Sequence, residues 1–303
     1  MLAPLRPAIA WLYQQPYLLL GLCALFWAGN AIAAQFARGE ITAMQHVLIR
    51  WIMVWLLVWP FFGRQVVQNL AAARGQVWKI VYMAIMGFTG FNILFYVASY
   101  NTTAVNVGIL QGSVPVLVLI GAFLLLRHGV KPLQWVGVTL TLMGVVMVAT
   151  RGTPWQIFGI TFNFGDITML VACACYASYA VLLPTRPAMS GAVFFTMMVP
   201  IAIVTAIPPV IYEAVTVETY VWPSLQGWLV TLFVAVFPAT LAQQFFMRGV
   251  ELIGPGRAGV FTNLVPVFAS ALAVLILGEI FAWYHGAALV LVLGGIWLTQ
   301  RSA

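Results

Sequence analysis

Long apolar stretches separated by short polar clusters run along the whole chain. A helix needs about 20 apolar residues to cross a bilayer, and ten stretches come near this length when charges, prolines and polar clusters are taken as boundaries. These predicted spans, named span 1 to span 10, cover residues 16–37, 44–62, 78–98, 103–126, 133–150, 165–183, 193–212, 226–247, 258–277 and 284–299. The connections are short, so the pattern predicts an all-α integral membrane protein of ten transmembrane helices.

Composition agrees with this prediction and narrows the chemistry. Of 303 residues, 63% are hydrophobic and 6% are charged, whereas about a quarter of the residues in a soluble globular protein are charged. Neither Lys79 nor Lys131 follows a glycine, so the chain lacks the Gly-Lys-Ser/Thr loop that binds ATP phosphates. Cys23, Cys173 and Cys175 lie in apolar stretches and indicate buried thiols rather than a disulfide or a zinc site. We expect no catalytic residue, metal or cofactor.

The net charge of +7 fits membrane topology better than nucleic-acid binding, because the basic residues are scattered among the loops. With the amino terminus inside, ten basic residues fall on the cytoplasmic side and two on the outer side, which is a strong positive-inside signal. Both termini are therefore predicted to be cytoplasmic. The ten are Arg6, Arg64, Arg74, Lys79, Arg127, Lys131, Arg186, Arg248, Arg257 and Arg301, and the two are Arg38 and Arg151.

The chain contains an internal repeat. Residues 95–148 align without gaps onto residues 246–299 at an offset of 151, and near span 1 the offset is 149. The matched pairs include Pro115 with Pro266, Gly108 with Gly259, and Gly144 with Gly295. Each half, residues 1–151 and residues 152–303, holds five spans, and an odd number makes the halves enter the membrane from opposite sides. Such inverted repeats are typical of secondary transporters that work by alternating access, although a duplication without a transport role would leave the same trace.

Several short sequences resemble the EamA domain of the drug/metabolite transporter superfamily. In the second half they are Gly254-Pro-Gly-Arg-Ala-Gly259, Pro266-Val-Phe-Ala-Ser-Ala271, Leu277-Gly-Glu-Ile280 and the pair Gly294 and Gly295, and in the first half Leu25-Phe-Trp-Ala-Gly-Asn30. The resemblance covers nearly the whole chain. It implies an exporter of metabolites in a bacterial inner membrane, with two halves around a central cavity. It also suggests the aromatic amino-acid exporters of the YddG type, although none of these motifs singles that branch out. One departure is that Arg127-His128 stands where the second half has Gly278-Glu279.

Polar residues inside the spans predict the transport pathway, because polar groups in hydrocarbon usually face the bundle interior. The repeat pairs Asn30 with Tyr179, Asn92 with Gln243, and Gln111 with Thr262, which predicts two polar collars with a compartment between them. Aromatic residues near these positions could bind a substrate ammonium group, although interhelical hydrogen bonds and helix packing are the rival explanations. The predicted substrate-binding residues are Trp27, Asn30, Arg50, Tyr82, Asn92, Tyr96, Gln111, Tyr176, Tyr179, Gln243, Thr262 and Asn263.

Arg50 is the only basic residue well inside a predicted span. It is predicted either to contact a substrate carboxylate or to pair with Glu40 at the outer end of the span. The acidic residues and the three histidines, His46, His128 and His285, lie at span ends or in loops, whereas a proton relay normally needs an ionisable group within the membrane. The sequence therefore predicts facilitated export down the substrate gradient.

Two prolines and a set of small residues bear on helix geometry. Pro115 and Pro266 lie inside spans 4 and 9, where each removes a backbone hydrogen bond. We predict that they act as hinges, and static kinks that serve packing are the alternative. Gly137, Thr141 and Gly144 on span 5 permit a close helix contact, either within or between subunits, so the oligomeric state stays open.

The leading prediction is a secondary transporter that exports amino acids, including aromatic ones, or related small metabolites across the membrane. A multidrug exporter of the same fold is the alternative, because an aromatic cavity also suits lipophilic cations. An intramembrane hydrolase would need an activated nucleophile, and the serines within the spans have no predicted His or acid at membrane depth. Those serines are Ser99, Ser113, Ser178 and Ser270. The expected partners are a small-molecule substrate and the lipid bilayer, not nucleic acid.

Overall fold

The computed structural model describes residues 11–126, 131–156, 163–216, 222–253, 258 and 261–301, and the regular secondary structure in these ranges is helical. Seven helical segments in the described part are long and apolar enough to cross a membrane, and two shorter apolar helices, Phe261–Leu277 and Trp283–Leu298, follow them. The residues that lie outside the described ranges include Arg6, Arg127, His128, Glu218 and most of the motif at 254–259.

A helix covers most or all of every predicted span, and the span names are kept for these segments. Spans 1 to 5 contain the helices Pro16–Ala37, Ala43–Ala73, Val77–Ala84 with Phe91–Asn101, Ala104–Gln111 with Val114–Leu126, and Pro132–Ala149. Spans 6 to 10 contain Phe164–Leu182, Gly191–Thr216, Leu225–Val234 with Ala242–Ile253, Leu264–Leu277, and Trp283–Arg301. The sequence therefore predicted where the helices lie.

Spans 2 and 3 form a hairpin, although helical conformation continues almost without a break over Ala43–Asn101. The backbone leaves the helical region at Gln76, with φ −129° and ψ 17°. The hydrogen bond from the side chain of Arg50 to Asn92 shows that the chain runs back beyond this point. In a straight helix these residues would lie roughly 60 Å apart at about 1.5 Å per residue. The segment thus consists of two antiparallel helices.

Two π-helical turns occur at matching places in the two halves. Ile85–Gly90 interrupts span 3, and Ala235–Leu241 interrupts span 8. Their positions differ by 150 to 151 residues, which is the offset of the sequence repeat. Since π turns are rare and are frequent at functional sites, their recurrence at one register relates the two spans structurally.

Spans 5 and 10 pack against each other through small residues, and the contact is reciprocal. A Cβ atom added to Gly144 would lie 2.8 Å from Val292 and 3.0 Å from the carbonyl oxygen of Ala288. A Cβ atom added to Gly295 would lie 2.5 Å from the carbonyl oxygen of Gly137 and would also meet Thr141. Adding 151 to residues 137, 141 and 144 gives 288, 292 and 295, so each contact recurs with the halves exchanged. The contact is therefore reciprocal between matched positions of the sequence repeat.

Both predicted hinge helices have an irregular turn shortly before their prolines. In span 4 the helix ends at Gln111 and restarts at Val114, next to Pro115. In span 9 the 3₁₀ turn Phe261–Asn263 precedes the helix that begins at Leu264, close to Pro266. Proline has no N–H to donate to the carbonyl four residues before it. This missing hydrogen bond explains why the irregular turns lie just before each proline. Movement at these turns stays a prediction.

Large aromatic side chains form the core between spans 2, 3, 6 and 7. Trp51 stacks on Phe88 with ring centroids 4.8 Å apart, and Phe195 packs 5.5 Å from Phe88. Tyr179 approaches Phe88 at 5.9 Å, and a Cβ added to Gly87 would lie 2.5 Å from its ring. This core forms the apolar surroundings of the polar residues described below.

Candidate substrate site

Arg50 lies buried two turns into the helix of span 2, with 6% of its surface exposed. Its Nη1 atom donates a hydrogen bond to Oδ1 of Asn92 and a longer one, of 3.4 Å, to the hydroxyl of Tyr96. Asn92 and Tyr96 are four residues apart on span 3, so one helical face presents both acceptors. The guanidinium also lies 4.7 Å above the ring of Trp51.

Span 1 joins the same group through Asn30. The hydroxyl of Tyr96 donates to Oδ1 of Asn30 at 2.9 Å. The amide nitrogen of Asn92 donates to the carbonyl oxygen of Phe88 at 2.6 Å, and Phe88 belongs to the π turn of span 3. We call Asn30, Arg50, Asn92 and Tyr96 the Arg50 cluster. It connects three spans with each residue at most 8% exposed.

The Arg50 cluster carries a positive charge, and no acidic side chain in the described ranges pairs with it. The acceptors of Arg50 are an amide and a phenol, and among the described residues no carboxylate lies at ion-pair distance from it. The predicted alternative of a pair between Arg50 and Glu40 is wrong, because the carboxylate of Glu40 accepts from the hydroxyl of Ser224 instead. A buried cation in apolar surroundings is costly unless a negative group joins it, so the cluster is suited to receive an anion.

His46 is a neighbour of the cluster that the sequence placed at a span end. Its imidazole is completely buried and stacks on the ring of Tyr96, with centroids 4.1 Å apart and planes 20° from parallel. His46 and Arg50 are separated by four residues, so they share one face of span 2. That spacing was the signal available in the sequence, but hydropathy alone does not show that a helix end is buried.

The other predicted aromatic residues lie in three places. Tyr176 and Tyr179 on span 6 contact each other at 5.4 Å, and Tyr176 lies 5.0 Å from Phe91 of span 3. They therefore belong to the aromatic core beside the cluster. Trp27 instead packs 5.4 Å from Phe246 of span 8, and Tyr82 is half-buried near the start of span 3.

The remaining predicted polar residues lie on spans 4, 8 and 9. Gln111 is the last residue of the first helix of span 4, and Gln243 follows the π turn of span 8. Thr262 and Asn263 form part of the 3₁₀ turn before Pro266. The structure describes no hydrogen bond from Gln111 or Gln243 to the Arg50 cluster, so the predicted binding residues do not form a single group.

Four carboxylates hold together the end of the bundle that contains Thr42, here called the Thr42 end. Each accepts hydrogen bonds at or near the beginning of a helix from the other half, where the helix dipole favours negative charge. Glu213 accepts from the Thr42 hydroxyl, Glu40 from the Ser224 hydroxyl, Asp166 from the Thr102 hydroxyl at 2.6 Å, and Glu279 from the backbone nitrogens of Ala104 and Val105 at 2.8 and 2.9 Å. The sequence predicted acids at the span ends but not these partners.

Glu279 of the motif Leu277-Gly-Glu-Ile280 contacts the beginning of span 4. Gly278 ends the helix of span 9 with φ +65°, a left-handed conformation that glycine adopts easily. The chain then turns, and the Glu279 carboxylate reaches the first helix of span 4, which begins at Ala104. The Gly-Glu pair thus joins the second half of the chain to the first.

A relay of hydrogen bonds lies beside Asp166. Nδ1 of His285 accepts from the backbone nitrogen of Ala282 at 3.0 Å, so the neutral ring carries its proton on Nε2. Nε2 then donates to Oδ1 of Asn106 at 3.2 Å, and the amide nitrogen of Asn106 donates to Asp166. Every polar group of this relay has a partner, which indicates a structural role at the Thr42 end.

An apolar groove of about 540 Å³ lies between spans 1, 8 and 9. Its walls include Leu25, Phe36, Leu229, Phe233 and Ile276, all of them partly exposed. No residue of the Arg50 cluster lines it. Within a membrane, such a surface is suited to lipid chains rather than to a polar substrate.

The chain resembles known proteins over nearly its whole length. The sequence profile of the EamA-like transporter family matches residues 15–150 and 163–301. The chain is 29% identical over 226 residues to the uncharacterized transporter YetK of Bacillus subtilis, covering 72% of this chain and 67% of YetK. It is 25% identical over 301 residues to an uncharacterized transporter of Archaeoglobus fulgidus, covering 94% and 97%. A solved crystal structure shares the fold, with a TM-score of 0.62 at 17% identity over 94% of this chain and 97% of the other. The chain therefore belongs to the EamA-like transporter family and is a multi-pass membrane transporter.

Proposed function

We propose that this protein is a secondary transporter that exports amino acids, including aromatic ones, or related small metabolites that carry a carboxylate. The observation that carries the proposal is the Arg50 cluster, a buried cation held by an amide and a phenol, with no acid beside it among the described residues. A substrate carboxylate supplies the missing negative charge, and hydrogen bonds between a guanidinium and a carboxylate are among the strongest in proteins.

The surroundings of the cluster suit the rest of an amino acid. The rings of Trp51, Phe88, Tyr176 and Tyr179 form an apolar, aromatic neighbourhood next to Arg50 and Tyr96. Aromatic faces attract an ammonium group and also pack against apolar or aromatic side chains. This chemistry resembles what an exporter of the YddG type would need.

The charge of Arg50 argues against the alternative of a multidrug exporter for lipophilic cations. A cation entering this neighbourhood would meet a like charge in a low dielectric, which is unfavourable. The described acids that could offset that charge are occupied at helix starts, as with Glu213 and Glu279. Lipophilic cations are therefore expected to bind more weakly than amino acids.

Alternating access between two inverted five-helix repeats, formed by ten membrane crossings, is the proposed mechanism. Its support is the matched register of the π turns in spans 3 and 8, the irregular turns before Pro115 and Pro266, and the reciprocal contact of spans 5 and 10. With cytoplasmic termini in a bacterial inner membrane, the Thr42 end faces outward. The four carboxylates that join the halves there close this end, as an exporter that loads from the cytoplasm requires.

The substrate gradient, without ATP, is proposed as the energy source of transport.

A catalytic role receives no support from the serines, because three of their hydroxyls donate to backbone carbonyls of their own helices. These are Ser99 to Phe95, Ser178 to Cys175 and Ser270 to Pro266. A hydroxyl bonded in this way lacks the adjacent base that activates a nucleophile.

The test is a substrate screen with the purified protein in liposomes, comparing labelled amino acids with a lipophilic cation such as tetraphenylphosphonium. Amino-acid transport without accumulation under an imposed pH gradient supports the proposal. Preference for the cation contradicts the substrate class, and accumulation driven by the pH gradient contradicts the energy source.

Two variants connect the screen to the site, and a third is a matched control. Asn92→Leu removes both contacts of a buried amide, whereas Asn101→Leu removes the same kind of bond to the fourth preceding carbonyl from an exposed amide on the same span. We expect Asn92→Leu to lower transport about tenfold and Asn101→Leu to leave it unchanged. Gln243→Leu tests whether the symmetry-related position also contributes.

A further inference from the structure

Four buried nitrogen atoms near the Arg50 cluster have no hydrogen-bond partner among the described residues. They are Nδ1 and Nε2 of His46, Nε of Arg50 and Nε1 of Trp51. Buried polar groups in native proteins are nearly always paired, and an unpaired one has a cost. Since all four atoms come from a stretch of six residues on span 2, this helix presents an unusual concentration of unpaired polar groups.

Tyr96 contacts both His46 and Arg50. The His46 ring lies flat on the Tyr96 ring at 4.1 Å, and Nη1 of Arg50 lies 3.4 Å from the hydroxyl of the same tyrosine. His46 and Arg50 are also one helical turn apart, which places their Cβ atoms about 5–6 Å from each other. The imidazole and the guanidinium therefore both lie against the side chain of Tyr96, and the guanidinium also lies over the Trp51 ring.

The chemistry of these atoms identifies the group that would satisfy them. Arg50 Nε and Trp51 Nε1 are donors only, and a neutral imidazole has one donor and one acceptor nitrogen. An ionised carboxylate offers two oxygens with about four acceptor positions and no donor. One carboxylate therefore has enough acceptor positions for a donor from Arg50 and a donor from His46.

We propose that His46 is a specificity-determining residue that donates a hydrogen bond to the substrate carboxylate bound by Arg50. This inference rests on the proposed function and deepens it, because it assigns the selectivity for acids over their uncharged amides to the pair His46 and Arg50. Arg50 supplies the charge, and His46 supplies a directed donor that requires an acceptor opposite it.

The stacking of His46 on Tyr96 offers a different explanation, and the two make opposite predictions. If stacking were its only role, phenylalanine would serve at least as well, because it stacks without burying two unpaired nitrogens. If donation is its role, an amide side chain without a ring serves instead. Gln and Asn carry N–H groups near the positions of Nε2 and Nδ1, respectively.

The experiment measures binding of L-phenylalanine and of L-phenylalaninamide to the purified full chain in detergent, for wild type, H46F, H46Q and H46N. We expect wild type to prefer the acid. H46F is expected to bind the acid 10- to 100-fold more weakly and the amide unchanged, while H46Q or H46N stays within about threefold of wild type. Thermal unfolding of each variant shows that it is folded, and H46L replaces H46F if H46F is not.

The possible results separate this inference from the function on which it rests. Acid binding by H46F or H46L that equals wild type overturns the role of His46. Loss of acid preference in R50Q together with unchanged preference in H46F overturns it as well, while leaving the proposed function standing. Failure of wild type to bind L-phenylalanine contradicts the proposed substrate class itself.

Discussion

The contact between spans 5 and 10 allows a sharp prediction, because two adjacent glycines of span 10 differ only in what they touch. A Cβ atom at Gly295 would lie 2.5 Å from the carbonyl oxygen of Gly137 and 2.9 Å from the backbone nitrogen of Thr141. A Cβ atom at Gly294 would meet nothing within 4 Å. Gly294→Ala is therefore the matched control for Gly295→Ala.

The expected magnitudes follow from these distances. Alanine is favoured over glycine in a helix by about 0.8–1.0 kcal/mol, so Gly294→Ala should stabilise the protein slightly. Gly295→Ala has the same gain, but forcing a methyl group against backbone costs about 1–3 kcal/mol. The displaced Thr141 also loses its 3.0 Å bond to Gly137, worth about 0.6 kcal/mol in a membrane protein. The two variants should differ by about 2–4 kcal/mol.

The assay is thermal unfolding of the purified variants in detergent, followed by tryptophan fluorescence. Gly295→Ala should unfold at a clearly lower temperature than wild type, and Gly294→Ala at the same or a higher temperature. The reciprocal variant Gly144→Ala should fall between them, because the backbone atom that its Cβ meets, the carbonyl oxygen of Ala288, is 3.0 Å away rather than 2.5 Å. Equal unfolding temperatures for Gly295→Ala and Gly294→Ala would refute the close packing of the two halves.

Three further predictions concern movement and binding. Pro115→Ala and Pro266→Ala restore a helical N–H, so transport in liposomes should slow while thermal unfolding changes little; unchanged transport in both would speak against hinges. Glu213→Gln replaces the carboxylate that accepts a hydrogen bond from the Thr42 hydroxyl. In a background without other cysteines, a cysteine placed at buried Ile41 should then react about tenfold faster with a water-soluble maleimide. An unchanged rate would mean that this carboxylate does not close the Thr42 end. Tyr96→Phe keeps the stacked ring but loses the bonds to Arg50 and Asn30, so amino-acid transport should fall about tenfold, and wild-type transport would exclude the hydroxyl from the site.

Hydropathy predicted the helices well because their middles are apolar, but it did not predict their ends equally. Span 1 agrees with the helix Pro16–Ala37, because a proline begins the helix and a charged residue follows its end. The helix of span 2 instead continues to Ala73, eleven residues past the predicted end at Phe62. A helix outside the hydrocarbon needs only helix-forming residues, such as the alanines at its end.

The candidate site was predictable residue by residue but not as an arrangement. Helical spacing placed Asn92 and Tyr96 on one face of span 3. Arg50 was noticeable because it is the only basic residue well inside a predicted span. Only the hairpin of spans 2 and 3 shows that these residues meet, because their contact depends on the rotation of one helix against the other. His46 was missed for the same reason, since a residue near a helix end is buried or exposed according to its neighbours.

The π turns had no signal in the sequence. Ile85–Gly90 contains two glycines and Ala235–Leu241 contains one proline, so the two stretches share no common pattern. Such turns depend on local hydrogen bonds and packing. Their matching positions are a property of the backbone that the sequence pattern does not contain.

The central claim is that Arg50 binds the carboxylate of the substrate, and one measurement tests it most directly. Efflux of L-phenylalanine from liposomes is compared for wild type, Arg50→Gln and Arg38→Gln, where Arg38 is an exposed arginine at the end of span 1. We expect a loss of roughly 10- to 100-fold for Arg50→Gln, corresponding to one hydrogen bond to a charged group, and no change for Arg38→Gln. Efflux by folded Arg50→Gln at the wild-type rate would contradict the claim.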